Sequence, residues 1–527
     1  MVTAIGYDSY GNGNGNVTSL TTANGAGTFT ATTAMGYDAF GNLETVDGPL
    51  TAVDDTTRYR YNVTRQPIGV ISPDPDSPGV GLKNRATRNT YDSATGLLTK
   101  VEQGNVDGQS DTAWAAFVPL QEVRTTYDDN ARPVTTRLAA GATTYAVSDT
   151  LYDVLGRVDC VVQRMDLSGF AALAASSCGS ATGRIARTTY DAAGRVYQQV
   201  SAYGTPDQAT DATYAYTANG QLSSVSDAEH NMTSYGYDGF DRRYATLYPG
   251  ATKGSNTSNA SDVELATLDA AGNVTAFTNR ANQTIGFTYD ALNRLTAKDL
   301  PDSGTFIFDE IYSYDNLGRM KTAGGTPTSP TIAFTWDALG RLTKDDHVAF
   351  GAKTFDYDLA GRRTRMTWRD GFYVDYDYFV TGETAYIREN GATSGVGVLA
   401  TFGYDDLGRR TSLLRGNDTS TTYTPDPVSR LSALANTFPA DTSKNLSLGF
   451  SYNAASQIVQ NVRGNDLYSW TGHGSGNTAS TVNGLNQLTA VGALTPAYDT
   501  KGNMAVGGRC AGGDTARRQD CALPPRR

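Results

Sequence analysis

Histidine is nearly absent from this chain: three residues in 527, His230, His347 and His473, far apart and never at a metal-ligand spacing. That removes the usual general base and the common imidazole metal sites, and leaves each histidine a surface or turn residue. There is no G-x-S-x-G elbow, no phosphate-binding G-x-x-x-x-G-K-[ST] loop and no strand–glycine-rich–helix unit. No catalytic, metal or cofactor site is therefore expected. No apolar run reaches 18 residues, so no membrane-spanning helix is expected. No signal peptide is expected either, since Met1 leads straight into Ile5-Gly6-Tyr7-Asp8. Positive charge is in deficit: a formal net charge of −11 offers no footprint for nucleic acid and reads as an acidic, solvated exterior.

What the chain has in quantity is one short pattern. Tyr-Asp-x-x-Gly-Arg stands at Tyr152, Asp153, Gly156, Arg157 and again at Tyr190, Asp191, Gly194, Arg195. It returns at Tyr314, Asp315, Gly318, Arg319, at Tyr357, Asp358, Gly361, Arg362 and at Tyr404, Asp405, Gly408, Arg409. Variants occur at Tyr289, Asp290, Asn293, Arg294 and at Trp336, Asp337, Gly340, Arg341. From Tyr289 the aromatic position advances through Tyr314, Trp336, Tyr357 and Tyr378 in steps of 25, 22, 21 and 21. Roughly twenty residues hold two strands of five to six residues and two turns. Repetition at that period signals stacked supersecondary units, not a single constellation of reactive groups.

Each copy reads as a β-hairpin corner. The aromatic closes a strand, the Asp accepts backbone hydrogen bonds at the turn, and the Gly takes φ > 0 to end a type I turn with a G1 bulge. Asn293 and Asn486 replace that Gly, and Asn also visits the left-handed region at low cost. About twenty hairpins imply about forty strands, and at 4.7–4.9 Å between strands a flat strip would run to roughly 190 Å. Twist accumulates in such a strip, so the expected fold is all-β, a long sheet that curls into a continuous coil with few free edges.

Iterated over residues 1 to 505, these motifs resemble the RHS/YD-repeat family. That family comprises bacterial polymorphic-toxin carriers, cell-wall-associated proteins, shell components of insecticidal toxin complexes and the animal teneurins. The resemblance implies tandem hairpins joined edge to edge into a spiralling, hollow RHS shell, and a secreted or cell-surface location. Toxin-carrying members follow the array with a cleavage core containing Asp-Pro-x-Gly-Leu. Here Asp74-Pro75 and Asp426-Pro427 lack the x-Gly-Leu, and no folded effector follows, so self-cleavage and toxicity do not carry over. The array opens mid-repeat without a polar cap, which suits a piece of a longer reading frame.

The array, 1–505, is looser in its N-terminal half, with loop inserts near 65–85, 100–120, 161–185 and 250–262. Residues 506–527 break the pattern and are expected to be a disordered basic tail. Cys160 and Cys178 flank one insert; a disulfide closing it would suit an extracellular site, and two unlinked thiols are the alternative. Gly11-Asn12-Gly13-Asn14-Gly15-Asn16 lacks regularly placed Asp ligands and reads as a flexible loop, not a calcium repeat. Carboxylate pairs such as Asp375 with Asp377, or Asp345 with Asp346, have no spacing that nominates a glycosidase.

The function this favours is a non-enzymatic shell or scaffold that encloses or displays a partner polypeptide, a toxin or C-terminal piece. An adhesive, carbohydrate-binding strip with a surface glycan as partner is the alternative, and an inactive truncated remnant a third reading. Rows of Tyr would serve adhesion if exposed, whereas cross-strand packing would occupy them within the sheet.

Overall fold

The computed structural model describes residues 2–7, 15–23, 29–76, 81–166, 168, 170, 174, 176–301, 310–325, 331–468, 479–492, 494–499 and 503–505. The segment 11–14, His473 and the tail 506–527 lie outside the described residues.

Strands dominate because the sequence between corners is short, Thr-rich and alternating, and a pleated surface suits β-branched side chains. Forty strands are described, thirty-six of them in one antiparallel sheet. Strands pair with their sequence neighbours, as in Thr284–Tyr289 against Leu295–Asp299 and Tyr373–Tyr378 against Thr384–Glu389. Two small ladders stand apart, Ser480–Val482 with Leu488–Val491 and Ala497–Tyr498 with Met504–Ala505. The fold class is all-β, as the repeat pattern implied.

Every hairpin thus has two ends. One carries the Tyr-Asp corner and is called here the motif end. The other is a loop of variable length, called the loop end. Contacts gather the chain into two units. The first comprises Met1–Tyr152, Val161–Arg184 and Ile332–Ser469; the second comprises Asp153–Cys160, Ile185–Thr331 and Trp470–Arg527.

Most strand residues are only half-buried, so apolar cores are local. One lies in the first unit, where the stretch 100–120 packs on Ile71 and Ala86. A helix, Asp111–Ala115, is capped by Ser110, whose hydroxyl accepts from Ala113 N at 3.1 Å, with Asp111 in the first turn. It brings Ala113, Trp114 and Phe117 onto Ile71, Ala86 and Val106. Gly69 and Gly104 permit this approach, because a Cβ on either would overlap the Trp114 ring or the Val118 carbonyl. A second cluster joins Val147, Phe170 and Ala454.

Beside it sits an ion pair removed from water. Asp149 and Arg164 are 3 % and 6 % exposed. Arg164 Nε donates to Asp149 Oδ2 at 2.7 Å and Nη2 to Oδ1 at 2.9 Å, and Thr135 Oγ1 donates to the same Oδ1 at 2.8 Å.

Candidate functional site

The repeated corner is the one constellation the whole chain invests in. In the copy at Tyr289, Asp290 N donates to Arg294 O and Asn293 N donates to Asp290 O, both at 2.9 Å. These two bonds define a type I turn followed by a bulge. The Asp290 carboxylate fills the turn: Oδ1 accepts from Leu292 N at 2.9 Å and Arg294 N at 3.0 Å, and Oδ2 from Arg294 Nε at 2.7 Å. The ladder slips register between Thr288 and Tyr289, as it does at Tyr190, Tyr314, Trp336, Tyr357 and Tyr404.

The other copies repeat the geometry. Arg Nε to Asp Oδ2 is 2.8 Å for Arg157–Asp153 and Arg195–Asp191, and 2.7 Å for Arg319–Asp315 and Arg409–Asp405. It is 2.6 Å for Arg341–Asp337 and Arg362–Asp358. The turn-closing residue is left-handed each time, with φ of 81° at Gly156, 83° at Gly194, 60° at Asn293, 80° at Gly318, 83° at Gly340, 80° at Gly361 and 70° at Gly408. A Cβ at Gly340 would meet nothing within 4 Å, so substitution there tests the backbone alone. Gly340→Val should cost about 1–2 kcal/mol through forced φ > 0. A denaturant melt superimposable on wild type would refute the turn.

Corners also clasp their neighbours. Tyr289 Oη donates to Val274 O at 2.9 Å, Tyr314 Oη to Leu295 O at 2.8 Å and Tyr357 Oη to Leu342 O at 2.7 Å, each on the preceding hairpin. The same bond joins Tyr190 to Val158, Tyr404 to Thr384 and Tyr152 to Pro133. In the other direction the guanidinium lies over the next aromatic: Arg157 over Tyr190 at 4.2 Å, Arg294 over Tyr314 at 4.8 Å and Arg341 over Tyr357 at 4.8 Å. Its Nη1 then reaches the next turn, from Arg294 to Asp315 O at 3.2 Å and from Arg341 to Asp358 O at 2.9 Å. Tyrosine, Asp and Arg thus perform one job, linking each hairpin to the next.

Three Asp–Arg corners escape a search keyed on Gly or Asn. Asp128–Arg132, Asp238–Arg242 and Asp426–Arg430 form the same turn with Ala131, Asp241 and Ser429 in the left-handed position, at φ of 61°, 59° and 70°. Asp followed four residues later by Arg was the signal that would have found them. The second Asp-Pro dipeptide, Asp426-Pro427, is one of these turns.

The carboxylates of Asp290, Asp128 and Asp191 are held in the charged form. The Arg294 side chain, then its backbone N–H, keep Asp290 below the ordinary carboxylate range, and Arg132 does the same for Asp128. For Asp191 the Arg195 backbone N–H is the leading cause. A carboxylate lowered in the folded state stabilises it above the unfolded pKa, near 3.9, and that contribution is lost as pH falls through the folded value. The urea midpoint should therefore hold between neutral pH and about 5 and drop below about 4. A midpoint unchanged down to pH 3 would contradict this.

Within each unit, motif ends of late hairpins seat on loop ends of early ones. In the first unit Val380 N donates to Pro75 O at 2.9 Å, and Asp406 accepts from Lys83 N at 3.2 Å and from Asn105 Nδ2 at 2.7 Å. Ser429 Oγ donates to Gln121 Oε1 at 2.9 Å, and Gln163 Nε2 donates to Ala454 O at 3.0 Å. The turn residues Val428 and Ala454 are buried there. In the second unit Gly484 N donates to Ala251 O at 3.1 Å, and Asn486 Nδ2 donates to Asp227 Oδ2 at 2.9 Å.

Among the described residues no group of three or more His, Cys, Asp or Glu that could hold a metal ion occurs. His230 occupies a left-handed turn position at φ 61°, and His347 packs against Phe350 at 4.5 Å. The candidate carboxylates are each met by a cation, Asp375 by Arg365 at 2.6 Å, Asp377 by Arg388, Asp345 by Lys353 at 2.9 Å and Asp346 by Lys344 at 2.7 Å. Cys160 and Cys178 are buried and disulfide-bonded.

An iterated Tyr-Asp corner clasping hairpin to hairpin defines a YD-repeat protein. Residues 82–305 match the family model described as Teneurin YD-shell. No curated protein matches it in sequence. Among solved structures it is similar to the crystal structure of TcdB2-TccC3 without hypervariable C-terminal region, with a TM-score of 0.50 and 16 % identity over 83 % of this chain and 26 % of that one. TcdB2-TccC3 and TcdB2-TccC3-Cdc42 also match at TM-score 0.50 and 14 % identity, over 92 % and 93 % of this chain and 29 % and 34 % of theirs. At that identity the likeness is one of fold. The chain spans 26–34 % of the length of these three chains.

Proposed function

We propose that this chain is a non-enzymatic wall segment of an RHS-type shell, which encloses or displays a partner polypeptide such as a toxin. One observation carries the reading: late motif ends are seated on early loop ends within each unit, so successive rows of hairpins meet edge to edge. A wall that shields a polypeptide needs area and edges that meet, and the edge-to-edge seating within each unit supports that reading. The motif tyrosines are spent on that wall, their hydroxyls bonded to neighbouring backbone, which leaves the adhesive reading without its main support.

Small-angle X-ray scattering on the purified chain tests the proposal. A filled globule of this length would have a radius of gyration near ~24 Å. A larger radius with the oscillating profile of a hollow particle is expected; a compact, filled profile would end the enclosure reading.

A secreted or cell-surface location belongs to the same proposal, and the disulfide-bonded Cys160 and Cys178 support it. Peptide mapping without reductant should recover the two cysteines in one linked species. Reduction should lower stability by about 3 kcal/mol, the loop-closure term for a loop of this size. Separate peptides would remove that argument for an oxidising compartment.

A further inference from the structure

Inside the first unit, buried motif ends rest on loop ends, yet the unit also presents one edge of each kind uncovered. The motif ends of its early hairpins expose Phe40 at 73 % and Val63 at 102 %, in the turn positions that Val428 and Ala454 fill when buried. The loop ends of its late hairpins expose Val348 at 77 %, Phe350 at 79 % and Val396 at 73 %. The chain therefore carries both halves of a contact that it already makes internally.

We propose that the uncovered motif edge at Phe40 and Val63 receives the uncovered loop edge at Val348 and Phe350 of a second copy of this chain. The occupant is set by the internal contact, where the same two kinds of edge mate through backbone N–H groups and amide side chains around small apolar residues. The contact is head-to-tail, using different surfaces on the two copies, so it adds copies in a row unless the rotation closes a ring. It is independent of whether the wall encloses anything.

Sedimentation velocity over a wide concentration range tests this on the full chain. Wild type should show concentration-dependent association. Phe40→Asp and Phe350→Asp, both at exposed tips and checked for unchanged circular dichroism, should each weaken it at least tenfold. The mixture is decisive, because each variant keeps one intact edge. Equal amounts of the two should form a species that stops at two copies. A wild type that stays monomeric throughout, a variant that associates like wild type, or a mixture that remains monomeric would each overturn the proposal.

Discussion

Asp149→Ala should lower the stability of the first unit by about 3–5 kcal/mol, because it removes the carboxylate that Arg164 Nε and Nη2 both bond in a site with almost no water. The geometry explains the size. Two parallel hydrogen bonds of 2.7 and 2.9 Å join the pair, and Thr135 fixes the same carboxylate. A surface pair would contribute under about 1 kcal/mol, as the many half-exposed corner pairs individually do. Hydrogen exchange reports the loss locally. Amides of Thr143–Tyr152, which pairs with Pro133–Ala140, should lose protection by about a hundredfold or more. Replacing both partners, Asp149→Leu with Arg164→Met, should recover most of it, since no charge is then left unpaired. Protection unchanged in the single variant would show that water reaches the site.

Phe117→Ala should cost about 3–5 kcal/mol, the usual range for emptying a buried aromatic site. Phe117 is 7 % exposed, its ring lies 5.7 Å from Trp114 and the Arg88 guanidinium stacks on it at 4.4 Å. Elsewhere the strands are half-buried and borrow rigidity from their neighbours, so this cluster is where a single side chain carries an unusual share. The loss should appear as a shift in Trp114 fluorescence and a lower urea midpoint. A midpoint within experimental error of wild type would mean that the helix Asp111–Ala115 merely rests on the sheet. Gly69→Val reaches the same cluster from below and should fail in the same direction, because its side chain would enter the volume of the Trp114 ring.

Much of the corner is legible in the sequence. Asp at a turn and Gly or Asn three residues on constrain the local backbone through sterics and short-range hydrogen bonds, which act within one hairpin. Asp290, Asn293 and Arg294 follow from that logic, as does an all-β array of hairpins. The three corners with Ala131, Asp241 and Ser429 were less legible. There the carboxylate and Arg hold a left-handed residue that propensity disfavours, and the energy resides in side-chain bonds that the turn residue does not reveal. The helix at Asp111–Ala115 was hidden for another reason. Five residues are too few for a helical period, and it persists only because Trp114 and Phe117 find a surface to bury.

By itself the sequence determined the unit of construction, its period and its strand direction, since all three depend on contacts within about twenty residues. Only the tertiary structure decided which edges meet. The pairing of Asp406 with Asn105, of Ala454 with Gln163 and of Asn486 with Asp227 joins residues about 260 to 300 positions apart. No short-range rule reaches that far, because the partner of a late turn is set by how much twist the intervening strands have accumulated. That sum, and not any single motif, settles which turns are covered and which remain open at Phe40, Val63, Val348 and Phe350.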